Sequence, residues 1–90
     1  MDITQLRSRI NEINDEILKL FCERMEVSGL IAEYKRKNDL PVTDSAREQE
    51  IFRRVASEAG ELGEYAVRLF ELLISLSKEY QNELLKRDER

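Results

Sequence analysis

The sequence predicts an all-α protein of three helices: a long first helix, a short second helix and a third of intermediate length. The chain of 90 residues contains only three glycines and one proline, too few for the tight turns of a multistranded sheet. Charged residues make up 38% of the chain and apolar residues 41%, a mixture typical of long amphipathic helices. Because one domain commonly takes about 100–200 residues, we expect residues 1–90 to form a single domain.

The first helix is predicted from about Thr4 to about Lys37. The segment NDLPVTDS follows it, in which Asn38 and Asp39 have side chains that favour turns. Pro41 ends any helical continuation, because proline lacks the backbone N–H and clashes with the preceding turn.

The second helix is predicted over residues 45–59. Ser45 followed by Glu48 has the spacing of a capping box, in which each side chain accepts a hydrogen bond from a backbone N–H of the first turn. At the other end, Gly60 suits the left-handed residue that often terminates a helix.

The third helix is predicted over residues 64–86, after a linker at residues 60–63. Its apolar stripe consists of Ala66, Phe70, Leu73, Tyr80 and Leu84. Ser77 interrupts the middle of this stripe, and Gln81 lies beside it four residues further on. One interpretation is structural, with a serine bonded to the carbonyl four residues earlier and an amide at the edge of the core. The other is that both side chains face a binding site.

Apolar residues repeat every seven positions along the first helix and form a seam of about four heptads. One row consists of Leu6, Ile13, Leu20, Val27 and Tyr34, and the other of Ile10, Ile17 and Ile31. A helix of this length is roughly 50 Å long, whereas a globule of this size has a radius of gyration of about 12 Å. The seam would overhang a compact monomer, so we expect a homodimer in which the long helices pair.

Arg24 stands in this seam at a position where the heptad pattern calls for an aliphatic residue. A structural interpretation is that it sets the register of the helices, or that it pairs with a buried acid such as a glutamate of a neighbouring helix. The alternative is that it faces a cavity and binds an anion. Lys35 lies roughly 16 Å further along the axis and within about 20° of the same face. The two cations can therefore bracket a small dianion, although Lys35 also belongs to a run of three cations that complements the helix end.

Arg7 lies about 42 Å from Lys35 along the same helix, too far for both to touch one small ligand within one chain. An antiparallel partner would bring its own Arg7 beside this chain's Arg24. Considered alone, Arg7 is a solvated surface arginine.

A polar trio begins the second helix. Asp44, Arg47 and Glu48 share one face because they are spaced i, i+3 and i+4. A structural interpretation assigns Asp44 to the cap, Glu48 to the capping box and Arg47 to an ion pair. The alternative is that all three line a binding site.

Composition and charge exclude several classes of function. Lysine and arginine total 15 against 19 acids, a formal net charge of −4, which argues against a nucleic-acid-binding protein. The lack of histidine excludes His-based triads and His-ligated metal sites. Cys22 is the only cysteine, which excludes an internal disulfide and favours a reducing compartment. No apolar run approaches the roughly 20 residues that span a bilayer, and the first residues lack the apolar core of a secretory signal. We therefore expect a cytoplasmic protein without membrane or nucleic-acid partners.

Six polar positions spread over three helices form a specific combination. They lie within Leu6-Arg7 with Ile10, Glu23-Arg24, Lys35, Pro41-Val42, the segment DSARE, and RLFELLISLSKEYQ from Arg68 to Gln81. Together these segments, which extend over nearly the whole chain, resemble the chorismate mutases of the all-helical class.

This resemblance implies an intertwined homodimer with two equivalent active sites, each completed by the first helix of the partner. The implied activity is that of an isomerase, the Claisen rearrangement of chorismate to prephenate in phenylalanine and tyrosine biosynthesis. No cofactor or metal is expected, because a pericyclic reaction moves no proton and uses no nucleophile. Such an enzyme holds the reactive diaxial conformer and stabilises the charge that develops on the ether oxygen.

The resemblance also implies a role for each polar residue. Arg7 of the partner subunit and Arg24 would hold the two carboxylates of chorismate, one of which Ser77 would contact. Lys35 and Gln81 would donate to the ether oxygen.

At the other end of the substrate, Glu48 would accept from the ring hydroxyl, and Asp44 and Arg47 would organise its surroundings. The resemblance thus makes four residues catalytic, namely Arg24, Lys35, Glu48 and Gln81.

Two other functions stay open. Isochorismate-pyruvate lyases share the scaffold and many of these residues, although the acid pair Asp44 and Glu48 favours the mutase. A non-catalytic helical dimerisation module is the second alternative. Arg24 and Ser77 argue against it, because they weaken apolar seams without an evident packing gain.

Overall fold

The computed structural model describes residues 1–88 and consists of three α-helices joined by short connections. Helix α1 spans Ile3–Lys37, α2 spans Ser45–Glu58 and α3 spans Gly63–Asp88, with a short 3-10 helix at Gly60–Leu62. Within these residues there is no strand, so the predicted all-α class and its three helices are confirmed. None of the helices in this range is both long and apolar enough to cross a membrane. The last two residues of the predicted domain lie outside the described range.

Helix α1 begins with a capping box that we did not predict. The backbone N–H of Gln5 donates to Asp2 Oδ1 over 2.9 Å, and the N–H of Asp2 donates to Gln5 Oε1 over 2.9 Å. These bonds satisfy N–H groups that lack a partner within the helix. At the other end, Asn38 Nδ2 donates to the carbonyl of Tyr34 over 2.8 Å, and Asp39 adopts a left-handed φ of 53°. The chain therefore leaves the helix at the predicted break.

The capping box predicted for α2 is wrong. Asp44 is the N-cap, and its Oδ1 accepts from the backbone N–H of Arg47 over 3.0 Å. Since the cap lies one residue before Ser45, the third helical position falls on Arg47 instead of Glu48. The Glu48 carboxylate is consequently free to pair with Lys78 of α3.

The connection between α2 and α3 is tighter than the predicted linker. Gly60 adopts the predicted left-handed conformation, with a φ of 57°. The 3-10 helix begins at Gly60 itself, and α3 begins at Gly63, which lies in the linker predicted from the sequence. Gly63 is buried, and a Cβ atom there would lie 2.7 Å from the carbonyl oxygen of Ala56. A glycine at this position lets the start of α3 pack directly on the backbone of α2.

Helices α1 and α3 approach closely at Gly29. A Cβ atom at this position would lie 3.1 Å from Leu84 Cδ1 and 3.6 Å from Tyr80 Cε2. This packing accounts for a glycine in mid-helix, where it costs about 1 kcal/mol relative to alanine. The close approach holds α1 against the face of α3 that carries Ser77 and Gln81.

The chain is elongated, with extents of 53 × 28 × 14 Å and a radius of gyration of 16.4 Å. A compact globule of this size would have a radius of gyration of about 12 Å. Every residue from 1 to 12 is exposed, because the start of α1 lies beyond the cover of the other helices. Seven of the eight predicted seam residues stay exposed along α1, namely Leu6, Ile10, Ile17, Leu20, Val27, Ile31 and Tyr34. Most of the predicted seam therefore lacks cover within one chain.

Candidate active site

A cavity of about 350 Å³ lies between the three helices. Seven of the eight predicted site residues line it: Arg24, Lys35, Asp44, Arg47, Glu48, Ser77 and Gln81. Helix α1 provides the first two, the beginning of α2 provides the next three, and α3 provides the last two. The eighth, Arg7, is exposed on α1 about 26 Å along the helix from Arg24 and does not line the cavity.

Arg24 contacts α3 through neutral groups. Its Nη1 donates to Ser77 Oγ over 2.6 Å and to the carbonyl oxygen of Leu73 over 3.4 Å. Within residues 1–88 it forms no ion pair, so the predicted alternative of a buried acid partner is wrong for this part of the chain. Ser77 Oγ accepts from Arg24, which also donates to the Leu73 carbonyl that the structural interpretation assigned to the Ser77 hydroxyl. No carboxylate of the described residues therefore pairs with the Arg24 guanidinium group beside the cavity.

Lys35 turns inward, away from the cations that follow it. Its Nζ donates to the carbonyl oxygen of Val42 over 2.8 Å, and the side chain is half-buried. Arg36 and Lys37 instead pair with Glu33 on the outer surface, at 2.6 Å and 3.7 Å. The side-chain hydrogen bond from Arg36 lowers the pKa of the Glu33 carboxyl below its usual range. Lys35 is therefore distinct from the solvated end of the helix.

The polar trio of α2 divides between structural and cavity contacts. Asp44 caps the helix, and Arg47 pairs with the exposed Glu50 over 3.4 Å, as the structural interpretation predicts. Glu48 forms an ion pair across the cavity wall, with its Oε2 3.1 Å from Lys78 Nζ. All three members of the trio also line the cavity.

Gln81 is buried in the wall between α1 and α3, with 6% of its surface exposed. Its Nε2 donates to Ser28 Oγ over 2.8 Å, and Ser28 is 5% exposed. Its Oε1 is buried without a hydrogen-bond partner. A buried unpaired acceptor costs about 1–3 kcal/mol, a cost for which the structural alternative, an amide at the edge of the core, offers no compensation.

The charges of the cavity suit a dianionic ligand. Four cations line it, Arg24, Lys35, Arg47 and Lys78, against the two carboxylates Asp44 and Glu48. The resulting excess of two positive charges contrasts with the formal net charge of −4 of the whole chain. Apolar side chains complete the walls, including Val27, Ile31, Val42, Ile51 and Ile74. In such surroundings, charge–charge interactions are stronger than in bulk water.

A family model for chorismate mutase type II matches residues 6–82, from the first turns of α1 to the last part of α3. The chain belongs to the type II chorismate mutase family. The match includes every residue that lines the cavity.

Known chorismate mutases are similar along most of this chain. The chorismate mutase of Methanocaldococcus jannaschii is 30% identical over an aligned length of 87, which covers 93% of this chain and 88% of that protein. The bifunctional chorismate mutase/prephenate dehydratase of Aquifex aeolicus is 39% identical over 54 residues, 60% of this chain and 15% of that protein. The bifunctional protein of the same name from Buchnera aphidicola subsp. Schizaphis graminum is 34% identical over an aligned length of 93, which covers 96% of this chain and 23% of that protein.

Two polar residues of this chorismate mutase cavity, Ser28 and Lys78, were not predicted from the sequence. Ser28 lies four residues after Arg24 and thus on the same face of α1, and Lys78 lies three residues before Gln81 on α3. The same helical spacing that related the predicted residues could have identified both.

Proposed function

We propose that this chain is an isomerase that converts chorismate to prephenate in the cavity between its three helices, in the biosynthesis of phenylalanine and tyrosine. Family membership and the names of its relatives support chorismate mutase activity. The observation that carries the mechanism is the set of seven candidate residues, with an excess of cations, around one cavity. The substrate is a small-molecule dianion with one ether oxygen and one ring hydroxyl.

Arg24 is proposed to bind a substrate carboxylate. Its Nη1 is anchored by Ser77 Oγ and the Leu73 carbonyl, so the guanidinium plane is fixed before the ligand arrives. A guanidinium group carries five N–H donors, and the anchored Nη1 leaves most of them for a carboxylate. A preoriented cation loses less entropy on binding than a mobile one.

Lys35 and Gln81 are proposed to donate to the ether oxygen, where negative charge develops as the C–O bond breaks. An ammonium group has three N–H donors, and one of those on Lys35 donates a hydrogen bond to the Val42 carbonyl. An amide NH₂ has two N–H donors, and one of those on Gln81 donates a hydrogen bond to Ser28 Oγ. Each residue thus retains donors for the substrate, and fixed donors of this kind stabilise a transition state without reorganisation.

Glu48 is proposed to accept from the ring hydroxyl. Its Oε2 is occupied by Lys78, whereas Oε1 has no hydrogen-bond partner among residues 1–88. Asp44 and Arg47 would organise this end of the cavity, since the cap bond between them sets the first turn of α2.

The proposed assembly is an intertwined homodimer in which Arg7 of each chain completes the site of the other. An apolar groove of about 520 Å³ between α1 and α3 supports it, with walls that include Ile17, Leu20, Phe21, Leu69 and Leu72. Arg24 lines both this groove and the cavity. An antiparallel α1 from a second copy would cover the exposed seam and bring its Arg7 to Arg24.

This assembly predicts that the protein sediments as a dimer at micromolar concentration. The physical reason is the exposed apolar seam of α1, which a single chain leaves in water. Analytical ultracentrifugation of the purified chain over a dilution series tests it, with activity measured on the same samples. A folded and fully active monomer would contradict the proposal.

Isochorismate-pyruvate lyase activity and a non-catalytic dimerisation module are the alternatives. The relatives reported above are named mutases, and a dimerisation module has no need for a cavity with four cations. The proposed compartment is the cytoplasm, which the exposed free thiol of Cys22 supports.

One assay separates these functions. Purified protein is incubated separately with chorismate and with isochorismate, the ultraviolet absorbance of chorismate is followed in the first reaction, and the product of each reaction is identified. Formation of prephenate supports the proposal. Salicylate formed from isochorismate would assign the lyase activity, and no turnover of either substrate would leave the dimerisation module.

A further inference from the structure

Lys78 is the cavity cation to which the proposed mechanism gives no role of its own. It lies on α3 between Ser77 and Gln81, and its Nζ is 3.1 Å from Glu48 Oε2 on α2. The pair is partly shielded from water, with 33% of the Lys78 side chain and 21% of the Glu48 side chain exposed. It joins two helices, whereas an exposed pair such as Arg9–Glu12 joins neighbouring turns of one helix.

A carboxylate in a cavity for a dianion raises an electrostatic problem. The negative charge of Glu48 repels the carboxylates of the ligand, and an apolar wall strengthens this repulsion. A flexible glutamate can also rotate away from the ligand. An ammonium group within hydrogen-bond distance opposes both effects, because it offsets the charge and fixes the carboxylate through one oxygen.

The two oxygens of Glu48 thereby have different surroundings. Lys78 holds Oε2, whereas Oε1 has no hydrogen-bond partner in residues 1–88. Because a carboxylate oxygen can only accept while the group is ionised, Oε1 suits a hydroxyl donor of the ligand.

We propose that Lys78 is a positioning residue, which orients the Glu48 carboxylate so that its second oxygen accepts from the ring hydroxyl of the substrate. This inference rests on the proposed function, in which Glu48 binds that hydroxyl. The ring hydroxyl does not react, so its bond to Glu48 is formed in the bound substrate as well as in the transition state. Loss of the bond therefore raises KM more than it lowers kcat.

The test replaces Lys78 by Gln and measures kcat and KM for chorismate. Lys78→Gln is expected to raise KM by roughly 10- to 100-fold, the effect of losing a hydrogen bond to a charged group, with a smaller change in kcat. Lys78→Arg keeps the cation and should restore KM to about the wild-type value. Lys37→Gln is the matched control, since it removes one lysine charge and an exposed ion pair outside the cavity, and its KM should be unchanged.

A double-mutant cycle with Glu48→Gln separates positioning from simple attraction of the anion. If Lys78 acts through Glu48, adding Lys78→Gln to the Glu48→Gln protein should raise KM much less than it does in the wild type. An equal rise in both backgrounds, or an unchanged KM in the single variant, overturns the inference. Lys78→Met, which keeps the length of the stem, repeats the test if circular dichroism shows that the Gln variant is unfolded.

The same data distinguish failure of this inference from failure of the proposed function. If neither the wild-type protein nor Lys37→Gln converts chorismate, the proposed function and this inference are both refuted. Active proteins with additive effects of Lys78 and Glu48 refute the inference alone.

Discussion

Mixing Arg7→Ala and Arg24→Ala proteins is expected to restore activity that neither protein has alone. Truncating one partner of a hydrogen-bonded charge pair costs about 2–5 kcal/mol, so each variant should lose roughly 30- to 5,000-fold in kcat/KM. In a heterodimer, one site combines the intact Arg24 of one chain with the intact Arg7 of the other. Random exchange of subunits should therefore recover about a quarter of the wild-type activity.

The control for this experiment mixes wild-type protein with the double variant Arg7→Ala/Arg24→Ala. If Arg7 acts across the dimer, both sites of the heterodimer are damaged, and the activity per wild-type chain falls to about half. If Arg7 acts within its own chain, that activity is unchanged, and the two single variants do not complement each other. Native mass spectrometry of tagged chains verifies that subunits have exchanged.

Gln81→Glu is expected to lose roughly a hundred- to a thousand-fold in rate at pH 7.5, the usual effect of removing one transition-state donor. An ionised carboxyl at this position accepts but cannot donate, and it repels the negative charge that develops on the ether oxygen. Position 81 is nearly buried, and burial raises the pKa of a carboxyl introduced there. Part of the activity should therefore return near pH 5, where the protonated group can donate.

The wild-type rate should be nearly flat from about pH 5 to 9, because the amide of Gln81 donates over this whole range. Gln81→Leu lacks the donor at every pH and should show no recovery in acid. Asn82→Asp introduces a similar charge at the neighbouring exposed position, and its activity should resemble that of the wild type. If Gln81→Glu converts chorismate at the wild-type rate at pH 7.5, Gln81 is not a donor in the mechanism.

The fold was predictable because long-range periodicity and helix breaks are properties of the sequence. The heptad rows of α1 and the break around Pro41 required no tertiary information. The N-cap of α2 did not follow from the sequence, since Asp44 and Ser45 are both good cap residues and only the structure distinguishes them. The role of Gly63 depends on a contact with Ala56, which no local pattern contains.

The candidate site was predictable where a residue broke an apolar pattern. Arg24 and Ser77 stand in apolar rows of two different helices, and the structure joins them by a hydrogen bond. Ser28 and Lys78 were missed because serine and lysine are ordinary residues of a helix surface, so their spacing from Arg24 and Gln81 is a weaker signal than their hydrogen bonds in the structure. The role of Arg7 stays a prediction, because it depends on a second chain.

The composition of the buried interior has a consequence for how this protein can evolve. Among the side chains of residues 1–88, the buried ones are apolar at Ala32 and Ile74 but polar at Ser28, Ser77 and Gln81. Most proteins fill such interior positions with apolar side chains for stability, whereas here we assign Ser77 and Gln81 to substrate binding and chemistry, which is a trade-off between stability and activity. Gln81→Leu combined with Ser28→Ala removes the unpaired acceptor together with both partners of the bond between the two side chains, so this double variant should unfold at a higher temperature while it loses most of the activity. A lower unfolding temperature for this variant would show instead that the amide stabilises the fold. Selection for thermostability alone would therefore tend to erase the active site.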